Sequence, residues 1–148
     1  MKKVISFKSD KKHYNADACI VWCFDNRFGD LLSKFKKKFG LRYTDDVEVA
    51  GGAMNLVGYG SGKNKEFVLD QVEKSIELHK TPLVILMAHD DCGAYKALGL
   101  PIKGDNWTRL LKDDLDTAKI ALAEYLETNG RKPNIQIYIA GFDGLWEA

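Results

Sequence analysis

At 148 residues, with 45% hydrophobic and 29% charged residues, the chain is sized for one soluble domain, residues 1–148, that buries roughly two thirds of its unfolded surface. Its net charge of +1 argues for neither a nucleic-acid nor a membrane partner. No apolar run reaches the roughly 18 residues that span a bilayer, and the lysine-rich start lacks a signal-peptide core, so a cytoplasmic protein with three reduced cysteines is expected.

Residues 1–15 are polar, carry five lysines, and read as a solvated terminal segment. Residues 17–24, Asp-Ala-Cys-Ile-Val-Trp-Cys-Phe, are apolar on both faces and predict a central parallel strand. A helix over 28–39 follows, with Leu31, Leu32, Phe35 and Phe39 as its apolar stripe and Gly40 as its stop. Residues 46–50 predict a short second strand, and Gly51-Gly52-Ala53 a turn. The glycine-rich loop 58–63 lacks the register of a phosphate cradle and reads as a connection. Residues 65–79 predict a helix turning Phe67, Val68, Val72, Ile76 and Leu78 inward. The apolar run 83–88 predicts a strand that delivers His89 and, three residues later, Cys92 at the start of a helix. After a loop at 99–104, a long helix over 106–129 carries Trp107, Leu110, Leu111, Leu115, Ala118, Leu122, Tyr125 and Leu126 at spacings of three and four. Residues 135–140 predict the last clear strand. Strands alternating with helices imply an α/β three-layer sandwich: a mostly parallel sheet of about four strands with helices on both faces.

In such a sheet, ligands gather at the carboxyl ends of strands where strand order reverses. With the order second-first-third-fourth, Cys23 and His89 end neighbouring strands, and Cys92 lies just beyond. Two thiolates and an imidazole suit zinc, and three protein ligands with one corner open is the catalytic pattern. Asp25 emerges beside the site, and Arg27 can reach back to hold its carboxylate ionised by paired hydrogen bonds. The plainer alternatives are a structural zinc or core thiols without metal; a charged pair at the edge argues against the structural zinc. Cys19, four residues before Cys23, reads as a core thiol. Trp22 and Phe24 read as core, and His13 and His79 as surface. Phe28 and Tyr95 adjoin the motifs as candidates to line an apolar substrate pocket.

Cys23-Phe24-Asp25-Asn26-Arg27 followed by His89-Asp90-Asp91-Cys92-Gly93 resembles the signature of the β-class carbonic anhydrases and their close relatives. Ala50-Gly51 is similar to the family's Ala-Gly turn, and residues 140–143 to its Gly-x-x-Tyr-Asp stretch. The resemblance implies zinc on Cys23, His89 and Cys92, an Asp25–Arg27 pair beside it, and zinc hydroxide attacking carbon dioxide to give bicarbonate. It implies that backbone near Gly93 contributes to the substrate site, and that the protein forms homodimers. Relatives with trimmed pockets hydrolyse carbonyl sulfide or carbon disulfide with the same ligands. A non-catalytic, zinc-stabilised regulatory protein is the reading from another class. The chain departs from the family pattern at Glu48, Val49 and Ala88, in its short N-terminal segment, and in ending soon after Asp143 without the usual final strand and helix.

Overall fold

Three strands rich in apolar residues form the middle of the sheet in the computed structural model, which describes residues 1–59, 62–100 and 104–148. They are β1 (Ala18–Trp22), β3 (Leu83–His89) and β4 (Asn134–Ala140). Parallel ladders join β1 to β3, with Cys19 opposite Val84, and β3 to β4, with His89 opposite Ala140. Strand β2 (Thr44–Glu48) runs parallel on the outer side of β1. The chain adds β5 (Leu145–Glu147), antiparallel to β4, giving the order β2-β1-β3-β4-β5. The expectation of no strand after Asp143 is thereby corrected. Three residues, all at least partly exposed, carry too little periodicity to announce a strand.

Side chains alternate between two cores, as the pleat requires. One face carries Ala18, Ile20, Trp22, Ile85 and Met87 against Phe28, Leu32 and Phe35 of the segment leading into and through α1 (Gly29–Lys38). The other carries Cys19, Val21, Val84, Leu86 and Ile137 against α2 (Gly62–His79) and α4 (Asp105–Thr128). Helices on both sides of one sheet make the three layers. Among the described residues no helix is long and apolar enough to cross a membrane.

Where boundaries differ from expectation, the polar residues explain it. β2 begins and ends two residues earlier than 46–50, because its Thr-Asp-Asp start is satisfied by side chains rather than by burial. Tyr14 donates to Asp45 Oδ1 at 2.8 Å, Ser75 donates to its Oδ2 at 2.7 Å, and Lys36 pairs with Asp46. Helix α2 turns Val68, Leu69 and Val72 inward, whereas Phe67 and Leu78 face solvent. Phe39 likewise sits exposed at the rim of α1, its ring 4.7 Å from that of Phe35. Residues 60, 61 and 101–103 of the two glycine-bearing loops lie outside the described residues.

Candidate metal centre

Cys23 follows directly on β1, and its position is set by glycine geometry. Gly52 opens a short 3-10 turn (Gly52–Leu56) with φ of 53°. A Cβ there would lie 2.9 Å from Cys23 N, 2.9 Å from the Trp22 carbonyl carbon and 3.0 Å from Met87 O. Only glycine lets this turn press against the ends of β1 and β3 together. Asn55 ties the turn down by donating to the carbonyls of Ala50 and Gly52, each at 2.9 Å. The Gly51 N–H in turn donates to Cys23 Sγ at 3.3 Å.

His89 ends β3 and is 1% exposed. Its Nδ1 lies 2.8 Å from the Asp90 carbonyl, which fixes the proton on Nδ1. Nε2 is buried with no hydrogen-bond partner. Asp90 is itself anchored: its N–H donates to Ala140 O at 2.8 Å, and its Oδ1 accepts from Trp107 Nε1 at 3.1 Å. Cys92, also buried, precedes the short helix α3 (Gly93–Ala97). Donor atoms of Cys23, His89 and Cys92 all lie within 4.8 Å of one another. A point therefore exists within about 2.8 Å of all three, against zinc bonds of roughly 2.0–2.3 Å.

The electrostatics suit a cation. A hydrogen bond from the Cys92 thiol pulls the Cys23 thiol pKa down; burial opposes it, and His89 and the backbone N–H groups of Gly51 and Asp25 add to it. The same hydrogen bond, with burial, pushes Cys92 up. The pair thus favours thiolate character on the Cys23 sulfur over the Cys92 sulfur. Burial alone would lower the His89 pKa, but the Cys23 sulfur and the Asp90 carbonyl outweigh it and raise it. A buried imidazole nitrogen without a hydrogen-bond partner beside two sulfurs is a donor set that fits zinc. Cys19, by contrast, is fully buried and free, and burial pushes its thiol up to about 12.

Asp25 caps the 3-10 turn Asn26–Phe28 by accepting from the Arg27 N–H at 3.1 Å. Arg27 Nε donates to both its oxygens, at 3.0 and 3.1 Å, and Nη2 donates to Oδ2 at 2.6 Å. These bonds hold the Asp25 carboxyl at about 2, partial burial opposing them. The Arg27 guanidinium also lies over the neighbouring rings of Phe28 and Phe142, 5.9 and 5.4 Å from their centroids.

Phe28 is buried with its ring 4.7 Å from that of His89. Tyr95 is buried in the core on the opposite face, edge-on to Trp107, so the two do not line one common pocket. Gly93 is exposed at the start of α3. Trp22 is core, but Phe24 is 63% exposed and borders a cavity of about 300 Å³ with Val49, Asn55 and Val68. The end of the ladder accounts for the difference: Phe24 lies two residues beyond Trp22, the last paired residue of β1. Sequence reasoning missed Asp91, which bonds Arg27 from the other loop, and Asp114, buried on α4 beneath Tyr59 and Tyr95.

Comparison with known proteins places these features. Residues 13–119 match the sequence family described as "Putative carbonic anhydrase". Uncharacterized proteins of Rickettsia bellii (strain RML369-C) and Rickettsia conorii (strain ATCC VR-613 / Malish 7) are 29% and 28% identical over 102 residues, 66% of this chain. The match spans 62% and 55% of their lengths. The fold is similar to β-carbonic anhydrase isoform I of Trichomonas vaginalis, with a TM-score of 0.56 and 16% identity over 96% of this chain and 87% of that one. It is also similar to the tetrameric β-carbonic anhydrases of Sordaria macrospora, with a TM-score of 0.50 and 13% identity over 90% and 81%.

Proposed function

Because this chain belongs to the β-carbonic anhydrase family, we propose that it binds zinc through Cys23, His89 and Cys92 and catalyses CO2 + H2O ⇌ HCO3− + H+. The observation that carries the reading is the meeting of two sulfurs and an unpartnered imidazole nitrogen beside an aspartate already held ionised. Zinc, when bound, is a Lewis acid that lowers the pKa of a water from about 15.7 to about 7.

The chain's own residues do the rest. The Asp90 carbonyl holds the proton on His89 Nδ1 and so keeps Nε2 as the donor to the metal. Asp25, anionic through Arg27, offers an oxygen that accepts a proton from water and orients it. Arg27 spends its Nε and Nη2 donors on that carboxylate, which restrains Asp25 from becoming a metal ligand itself. The faces of Phe28 and Phe142 lie on one side of the guanidinium and give it a cation–π contact. We also propose a homodimer, in line with the tetrameric assembly named for the Sordaria macrospora proteins.

The test is stopped-flow CO2 hydration with a pH indicator, alongside zinc content. Zinc-loaded protein should hydrate CO2 between about pH 6 and 9, the window around water ionisation on the metal. Cys23→Ser, His89→Ala and Cys92→Ser should lose the metal, whereas Asp25→Ala and Arg27→Ala should keep it and lose most of the rate. A fully loaded, folded protein with no hydration above buffer defeats the proposal. Sulfide release from carbonyl sulfide or carbon disulfide by that protein would reassign it as a hydrolase of those gases.

A further inference from the structure

Asp91 is one of two described non-glycine residues with positive φ, at 54°; the other is Lys80. The left-handed region is uncommon for side-chain-bearing residues, and aspartate and asparagine tolerate it best. Here it falls in the turn between His89 and Cys92, a position where such a conformation invites a functional reason.

The contacts supply one. With the backbone turned this way, Asp91 presents both its carboxylate and its carbonyl to the end of β1. Oδ2 accepts from Arg27 Nη1 at 2.9 Å, and the carbonyl accepts from Nη2 at 3.1 Å. The other face of the same guanidinium serves Asp25. One arginine is thus shared by two carboxylates from two loops. Asp25 comes two residues after Cys23, and Asp91 one residue before Cys92.

We propose that Asp91 is a positioning residue: it fixes Arg27 between the two donor-bearing loops, and Arg27 so fixed holds Asp25 away from the open metal corner. The proposal rests on the zinc reading above. Arg27 is 46% exposed and has no buried socket of its own. Without the Asp91 carboxylate its Nη1 loses this partner to solvent, and Asp25 is released to become the fourth metal ligand.

The experiment compares zinc-loaded wild type, Asp91→Gly and Asp91→Asn by metal analysis, crystal structure near pH 7.5 and kcat/KM for CO2 hydration across pH. Glycine removes the carboxylate and relaxes the backbone, two opposing effects that leave the melting temperature within about 3 °C. Asp91→Gly should keep full zinc, show the Asp25 carboxylate on the metal, and lower kcat/KM by about 10- to 100-fold. Asp91→Asn tolerates the same backbone and keeps an oxygen for Arg27 Nη1, so it should retain the Asp25–Arg27 pair and recover most of the rate. An Asp91→Gly crystal with Asp25 still on Arg27 and kcat/KM unchanged overturns the proposal, as does loss of zinc with the pair intact. If loaded wild type hydrates no CO2, the functional reading fails by itself. The crystals then decide alone: Asp25 moving between wild type and variant supports the clamp, and an unmoved Asp25 refutes it. Should Asp91→Gly fold poorly, Arg27→Lys is the second test: one ammonium cannot serve both loops, so Asp25 should move to the metal, and Asp25 still off the metal refutes the clamp.

Discussion

Gly52→Ala tests whether one turn sets the spacing of the metal donors. Alanine at a φ of 53° carries left-handed strain of roughly 1–2 kcal/mol. Its Cβ would meet three backbone atoms at 2.9, 2.9 and 3.0 Å, and none of them can swing aside like the tip of a side chain. Overpacking of this kind adds about 1–3 kcal/mol. The sum, about 2–5 kcal/mol, is a large share of the roughly 5–15 kcal/mol that holds a domain folded. The strain lands on Trp22, Cys23 and Met87, so it relaxes by parting β1 from β3 or by expelling the turn. Either shift moves Cys23 relative to His89 at a site that tolerates about 0.5 Å. Urea unfolding of the zinc-free protein measures the first effect, and chelator competition should show zinc affinity reduced at least about 10-fold. Gly130→Ala is the control, because Gly130 has a φ of 70° and nothing within 4 Å of its would-be Cβ. It should cost the strain alone. If Gly52→Ala proves no more harmful than Gly130→Ala, the wedge argument is wrong.

Asp114 is buried with Oδ2 unpartnered, and burial raises its pKa against the nearby hydroxyls of Tyr95 and of Tyr59, which donates to Oδ1. A raised carboxyl pKa favours the folded state below it and disfavours it above, so Asp114→Asn should add about 1 kcal/mol near pH 8 and nothing near pH 3; a loss at pH 8 would count against this. For Asp45, burial raises the pKa, but hydrogen bonds from Ser75, His79 and Tyr14 outweigh it and lower it. That stabilisation is present above the unfolded value of about 4 and lost as pH falls through the folded one. Asp45→Asn should therefore lower the denaturation midpoint at pH 7 and leave it nearly unchanged near pH 2, and equal deficits at both would refute the assignment. After zinc is chelated, a disulfide reagent should titrate Cys23 without denaturant, while Cys19, fully buried and held at about 12, should react only on unfolding. Early labelling of Cys19, read by peptide mass, would contradict that.

The legible parts of this chain are those whose signal is local. β1 and β3 are continuous apolar runs up to their ends, and Cys23, Asp25, Arg27, His89 and Cys92 stand where those runs end, so strand ends and candidate donors are read together. β2 was placed two residues late because its aspartates are satisfied by Tyr14, Ser75, His79 and Lys36, partners that periodicity does not register. Phe67, Leu78 and Phe24 look apolar on paper, but facing a core depends on where neighbouring layers stop. The Asp91 contact joins residues 64 apart through an unusual backbone angle, and neither shows in a residue's identity.

The pairing of β1 with β3 has a kinetic corollary. These strands meet across a long stretch of intervening chain, with Cys19 opposite Val84, and contacts between distant segments form late and slowly. A slip of one residue would turn Cys23 to the opposite side of the sheet. On the zinc proposal, tight metal uptake during refolding would begin only once that ladder has closed in the correct alignment. A fluorescent zinc chelator added to a refolding mixture becomes a stopwatch for this single event.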